Sequence, residues 1–282
     1  MTETATAPAD PRDVLATYHQ RREQAVTAPK GNLALVNTQW ITGDPDAPAQ
    51  SVWGVPGLWA PLPKGQSGLK LTATAADGIT VDGELVDGDV IVRGKDDSTP
   101  SDVVFSETVT GFVIASEEGE YALRVWDANS EAIQEFGSID SFEYNPEWVI
   151  QASFTPIEGG LTVGFEHLKD EGKTRDMVIP GEIRFEKDGV EYNLAAFKAG
   201  RALQLVFSDA TNGDTTYSVG RFLFVAPHPD GTVTLDFNLA VLPPCAFSYN
   251  FNCPLPPKQN RFAVKIEAGE KNVLNKAGEL LH

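Results

Sequence analysis

The side chains best suited to chemistry lie on two predicted strands of the C-terminal third, a first stretch over residues 217–225 and a second over residues 232–239, where polar and apolar residues alternate. Side chains of a β-strand point alternately to opposite faces, so Asp236 and Asn238 share one face of the second stretch. Burying Asp236 among phenylalanines would cost free energy. We therefore expect the apolar side chains of the second stretch, such as Leu235, to lie beside Phe222 and Phe224 of the first stretch. Arg221 then shares a face with Asp236 and Asn238, with Tyr217 nearby.

A guanidinium, a carboxylate and a carboxamide on one face allow two interpretations. In the first, they form a small-molecule binding or processing site, in which Arg221 clamps an anionic group, Asp236 orients it and Asn238 hydrogen-bonds the ligand. Without a cofactor, acid–base work by Asp236 or Glu270 is the chemistry that these residues offer. In the second, the same side chains form a buried network in a non-catalytic structural or interaction protein. The sequence decides neither enzymatic activity nor a cofactor.

Two cysteines enclose a proline-rich segment. Cys245 follows a proline and Cys253 precedes one, with seven residues between them. Prolines disfavour a central strand, so we expect a rigid, irregular loop on a surface or along a cleft. The pair has three interpretations: an active-site thiol, a loop-closing disulfide, or two unreactive buried thiols. The segment has no histidine to act as a base, which favours the two structural interpretations.

A last strand is predicted over residues 260–268, where apolar residues recur at every second position. If this strand continued through Gly269, Glu270 would point inward and would need a partner or a raised pKa. If Gly269 ends the strand, Glu270 is solvated beside Lys271. The second outcome is the one we expect.

The elements that position these residues are typical of an all-β protein with one N-terminal helix. Asp10 and Pro11 predict the start of that helix. Beyond it, short β-branched and aromatic runs alternate with turn residues, including five Asp-Gly steps, which predicts mostly antiparallel sheets in a sandwich or a partly open barrel. The predicted divisions are a flexible tail, the helix, a β-rich N-terminal sub-region and a β-rich C-terminal sub-region with the candidate site, over residues 1–9, 10–30, 31–135 and 136–282.

Composition limits the partners. The chain carries 40 acidic against 22 basic residues, a net charge of -18, which opposes binding to nucleic acid or to an anionic membrane surface. The first thirty residues contain no uninterrupted apolar run, so we expect no signal peptide and a cytoplasmic protein. The four histidines are too scattered to predict a metal site. The sequence does not indicate an oligomeric state.

The C-terminal third contains a set of short motifs: Thr216-Tyr217, Gly220-Arg221-Phe222, Asp236-Phe237-Asn238, Pro243-Pro244-Cys245-Ala246-Phe247, Cys253-Pro254-Leu255-Pro256-Pro257, Asn260-Arg261 and Ala268-Gly269-Glu270-Lys271. These motifs closely resemble those of the uncharacterised prokaryotic family known as domain of unknown function 1684. The match is specific in the C-terminal third and weaker but traceable over most of the chain, and the stretch 53–63 departs from the family pattern. The resemblance implies no reaction, but it strengthens the choice of Asp236 and Glu270 as catalytic candidates. It does the same for the ligand-binding candidates, which are Tyr217, Arg221, Asn238, Cys245, Cys253 and Asn260.

Overall fold

The fold was analysed in a computed structural model that describes residues 10–170 and 172–281. The predicted tail over residues 1–9 lies outside the described residues. The described chain divides into two compact units: the residues up to Glu23 together with those from Phe136 onward, and the residues Gln24–Glu135. Helix α1 spans Pro11–Val26, which confirms the predicted N-terminal helix. Asp10 caps it, because its Oδ1 accepts a hydrogen bond from the Arg12 amide at 2.8 Å.

The unit Gln24–Glu135 consists of two antiparallel sheets and a short helix, α2 (Glu131–Glu135). One sheet has the strand order β1-β10-β9-β8-β5-β6 and the other the order β2-β3-β4-β7, with Trp59, Leu71 and Leu123 in their shared core. The strands are β1 (Leu35–Ile41), β2 (Gln50–Ser51), β3 (Leu58–Pro61), β4 (Leu69–Ala73), β5 (Thr80–Val81), β6 (Glu84–Leu85), β7 (Gly88–Val92), β8 (Val103–Val104), β9 (Val109–Ala115) and β10 (Tyr121–Asp127).

The other unit contains the motif residues. Its main sheet is antiparallel with the order β16-β15-β14-β13-β12-β17, and β11 pairs with β18 separately. The strands are β11 (Phe136–Ser141), β12 (Val149–Glu166), β13 (Thr174–Lys187), β14 (Val190–Ala199), β15 (Ala202–Phe207), β16 (Arg221–Val225), β17 (Thr232–Asp236) and β18 (Glu270–Asn275). The predicted all-β, mostly antiparallel class is confirmed. No helix in the described part of the chain is long and apolar enough to cross a membrane.

Two Asp-Gly steps form the tight hairpin turns that the sequence predicts. Asp82 has φ 53° between β5 and β6, and Asp188 has φ 54° between β13 and β14. In each case the following glycine also has positive φ. Two consecutive left-handed residues match the right-handed twist of the flanking strands, which is why this dipeptide closes hairpins so well.

Two predictions about the strands are wrong. Residues 260–268 form no strand, and β18 begins only at Glu270. Strand β17 pairs with β12, so β16 and β17 form the two opposite edges of the sheet order. Leu235 of β17 belongs to the same core cluster as Leu223 of β16, whereas Phe224 is exposed. The face of β16 that carries Arg221 is therefore the core face. The alternation of polar and apolar residues could not identify the core face of β16. That face depends on whether the buried guanidinium of Arg221 has partners elsewhere in the chain.

Candidate functional site

Arg221 is the first residue of β16 and its side chain is fully buried. Nη2 donates to Asp209 Oδ2 at 2.7 Å and to the Ile266 carbonyl at 2.8 Å, and Nη1 donates to the carbonyls of Ala268 and Glu270. Burial lowers the pKa of Arg221, and the neighbouring Asp209 carboxylate opposes that shift. The guanidinium holds the irregular segment before β18 against the sheet, and it does not reach solvent.

Asp209 is the partner of Arg221, so the predicted pairing of Arg221 with Asp236 is wrong. The Asp209 side chain is also fully buried. Its Oδ1 accepts hydrogen bonds from the amide and hydroxyl of Thr211 at 2.8 and 2.6 Å and from the Ile266 amide at 3.2 Å. Sequence reasoning missed Asp209. The available signal was strand pairing: Phe207 lies opposite Arg221, and Asp209 follows two positions later.

Asp236 and Asn238 do lie together, but Asn238 lies in a 3₁₀ turn after β17 and does not share a strand face with Asp236 as predicted. Asp236 ends β17 and caps the short 3₁₀ turn Phe237–Leu239, where its Oδ1 accepts from the Asn238 amide at 3.0 Å and from Nδ2 at 2.8 Å. The buried Asn238 also exchanges two hydrogen bonds with the backbone of Asn145, at 2.7 and 3.0 Å. Asn238 therefore joins β17 to the segment after β11 and fixes the orientation of Asp236.

An open cavity of about 250 Å³ lies beside this pair. Its walls are mainly apolar, and the Asp236 carboxylate is its charged group. Sequence reasoning missed the residues that α1 and the segment after β11 contribute, because they are distant in sequence. The lining consists of Pro11, Val14, Leu15, Tyr144, Asp236, Asn238 and Leu239.

Glu270 is fully buried, and the expectation that it is solvated is wrong. Its carboxylate accepts from Arg22 Nε at 2.7 Å and Nη2 at 3.1 Å, and from the Leu242 amide at 2.7 Å. Hydrogen bonding and the charge of Glu270 raise the pKa of Arg22 against the opposing effect of burial. The guanidinium also lies 5.8 Å from the centre of the Phe247 ring. This bidentate pair fastens α1 to β18.

Tyr18 lies one helical turn before Arg22, and its hydroxyl donates to the Leu239 carbonyl at 3.2 Å. Burial, reinforced by Glu270, raises the pKa of Tyr18 to about 12 from its ordinary value of 10.0. Folding thus favours the neutral phenol. This contribution to stability is complete below about pH 10 and is lost as the pH rises through about 12.

We expect Tyr18→Phe to flatten this alkaline loss of stability. Urea unfolding between about pH 9 and 12 should show the wild type losing stability more steeply than the variant, because phenylalanine has no proton to lose. Tyr249→Phe removes a tyrosine that is 65% exposed and should retain the steep wild-type slope. Equal slopes for the wild type and Tyr18→Phe would contradict the prediction.

The remaining candidates lie around the proline-rich loop. Cys245 and Cys253 are both buried thiols, and the Cys245 amide donates to Cys253 Sγ at 3.2 Å. The Tyr217 hydroxyl donates to the Cys245 carbonyl at 3.1 Å, and burial raises the pKa of Tyr217. These three residues form a cluster at the proline-rich loop. No group of three or more histidine, cysteine or acidic side chains within residues 10–170 and 172–281 is arranged to hold a metal ion.

Asn260 is fully buried, and its carboxamide hydrogen-bonds backbone groups. Its Oδ1 accepts from the Ala195 amide at 2.9 Å, while Nδ2 donates to the carbonyls of Ala195 and Val206 at 2.7 and 2.8 Å. The carboxamide therefore substitutes for a missing strand neighbour between β14 and β15. This geometry leaves Asn260 bonded to the backbone and not directed at a ligand.

The fold and these contacts define an antiparallel all-β protein whose sequence motifs assemble an internal polar network next to a small open cavity. Residues 134–271, just under half of the chain, match the family described as "Protein of unknown function (DUF1684)", and this segment belongs to that family. The family identification made from the motifs is thus confirmed.

Among solved structures, the chain is similar to an uncharacterized protein of Haloarcula marismortui determined by solution NMR. The two are 33% identical over 48% of this chain and 77% of that chain, with a TM-score of 0.40. No curated protein is significantly similar to this chain.

Proposed function

We propose that the protein binds a small organic cation in the cavity beside Asp236. The observation that carries this proposal is a carboxylate at the edge of an otherwise mainly apolar cavity of about 250 Å³. Oδ1 of Asp236 is held by Asn238, and within the described residues Oδ2 accepts no hydrogen bond. An ammonium or amidinium group is the natural partner for that oxygen.

The sequence-based prediction of an anionic ligand depended on Arg221 as its binding group. Arg221 is instead buried on the core face of β16 and bonded to Asp209. No basic side chain lies among the seven residues that line the cavity. The protein's net charge of -18 also raises the local concentration of cations. Both facts favour a cationic ligand over the anionic one.

The apolar walls indicate the rest of the ligand. Leu15 and Leu239 offer aliphatic surface, and Tyr144 offers an aromatic ring. A ligand with one positive group and a compact apolar body fits this combination, and the cavity volume is below that of sites for drug-sized molecules.

Three probes of similar shape and different charge test the proposal: benzylammonium, benzyl alcohol and benzoate. In NMR titrations we expect benzylammonium to bind most tightly. Asp236→Asn preserves the cap on Asn238 but removes the charge, and it should weaken benzylammonium binding at least about tenfold, because a hydrogen bond to a charged group contributes roughly 1.5 to 3 kcal/mol. Glu147→Gln makes the same change in net charge at an exposed position and should leave the affinity unchanged. Equal affinities for the three probes, or no effect of Asp236→Asn, would refute a cation site.

A second role is supported by a different observation, the hydrogen bonds that the buried polar residues make within the protein. Arg221, Glu270 and Asn260 direct their polar atoms to the protein itself. We propose that they stabilise the fold and take no part in a reaction. Asp236 is then the one catalytic candidate that lines the cavity. A cytoplasmic location stays a prediction, and two thiols are compatible with a reducing compartment.

A further inference from the structure

The two thiols of the proline-rich loop are held side by side by bonds at both ends of the loop. The Cys245 amide donates to Cys253 Sγ at 3.2 Å. Tyr217 anchors the carbonyl of Cys245, and the Leu168 amide donates to the carbonyl of Cys253 at 2.9 Å. Backbone anchors on each cysteine keep the sulfur atoms close without a covalent bond between them.

The groups around Cys245 lower the pKa of its thiol. A hydrogen bond with Cys253 lowers the pKa of Cys245, the Tyr217 hydroxyl and the charge of Lys169 act in the same direction, and burial opposes them. Lys169 is held at this loop, because its amide donates to Asn252 Oδ1 at 2.9 Å and its Nζ donates to the Tyr249 carbonyl. These contacts supply the positive field and the hydrogen bonds that the sequence of the loop does not reveal, and a reactive thiol requires such surroundings.

We propose that Cys245 and Cys253 form a reversible dithiol–disulfide site that is oxidised by hydrogen peroxide. The Cys245 thiolate attacks one peroxide oxygen, the O–O bond breaks, and hydroxide leaves and takes up a proton to become water. This step converts Cys245 to a sulfenic acid. The Cys253 sulfur then attacks Cys245 Sγ and expels the sulfenic oxygen as a second water. Two thiols and one peroxide thus give one disulfide and two waters.

Burial of the two thiols favours a small oxidant over a large one. Cys245 is 1% exposed and Cys253 3%, so a bulky disulfide has poor access to either sulfur, and a peroxide, which is nearly the size of water, meets a smaller steric barrier. Reduction requires a thiol reductant, which attacks the disulfide and is itself oxidised in exchange. We therefore expect hydrogen peroxide to oxidise the folded protein faster than glutathione disulfide does at the same concentration.

The test is intact-mass and peptide-map analysis of the folded wild type after exposure to hydrogen peroxide and acid quenching. The chain has two cysteines and two methionines, so disulfide formation, seen as a loss of two hydrogens, is distinct from methionine oxidation, which adds oxygen. We expect a Cys245–Cys253 crosslink that dithiothreitol reverses. We also expect faster crosslinking in the folded protein than in protein unfolded by urea. A gain of oxygen at the cysteines without a crosslink, or crosslinking that is slower in the folded state than in urea, would overturn the proposal.

Two single variants test the order of the steps. Cys253→Ser removes the second thiol, so the reaction should stop at a sulfenic acid on Cys245, which dimedone traps when it is added together with urea to expose the buried sulfur. Cys245→Ser should lose the rapid reaction, and dimedone should label Cys253 little. Tyr217→Phe tests Tyr217 as a positioning residue and should slow crosslinking severalfold while the protein stays folded. Equal labelling of the two single variants would show that Cys245 is not the attacking thiol. If either serine variant fails to fold, the wild-type rates and the mapped crosslink decide the proposal.

Discussion

Arg221→Met is expected to lower the free energy of unfolding by about 3 to 5 kcal/mol. The substitution keeps a long apolar side chain in the core but leaves the Asp209 carboxylate, which is fully buried, without its cation. It also removes the donors to the carbonyls of Ile266 and Ala268, which the guanidinium holds in place before β18. Chemical denaturation in urea measures this loss directly.

Arg184→Met is the matched control, since Arg184 lies in the same sheet and pairs with Glu182 at 2.7 Å, but its side chain is 58% exposed. An exposed pair contributes about 0 to 1 kcal/mol, so this control should change little. Adding Asp209→Leu to Arg221→Met should recover part of the lost stability, because it removes the unpaired charge. A loss below about 1 kcal/mol for Arg221→Met would contradict the network.

Arg22→Met is expected to destabilise the protein by about 3 kcal/mol, near the lower end for a buried pair, because the Arg22 side chain keeps 19% exposure while that of Glu270 has 1%. The variant loses two hydrogen bonds to Glu270 and leaves that carboxylate with the Leu242 amide. Urea denaturation of the wild type and the variant at neutral pH compares the two free energies.

Arg21→Met provides the control on the same helix, since Arg21 is exposed and its removal makes an identical change in net charge. We expect that variant to lie within about 0.5 kcal/mol of the wild type. A double-mutant cycle with Glu270→Gln isolates the coupling between the two side chains. Additive effects of Arg22→Met and Glu270→Gln would show that the pair is not coupled, against the geometry seen here.

Local sequence determined much of the architecture. The Asp82 and Asp188 hairpins, the helix capped by Asp10 and the alternation along β17 each depend on residues close together in the chain. Their energetics are decided within a few residues, by steric limits on φ, by one capping bond or by the two-residue strand period. The pairing of Asp236 with Asn238 belongs to the same group, because the carboxylate bonds the side chain two positions later.

The tertiary structure decided which polar groups meet inside the protein. Arg22 and Glu270 are 248 positions apart, so no local pattern predicts that they pair. The choice of Asp209 over Asp236 as the partner of Arg221 likewise depended on which edge of the sheet β17 joined. By itself the sequence determined an antiparallel β fold, a helix and the identity of the family. The pairing of its buried charges was decided by packing, because a buried ion is tolerated only where distant segments bring it a partner.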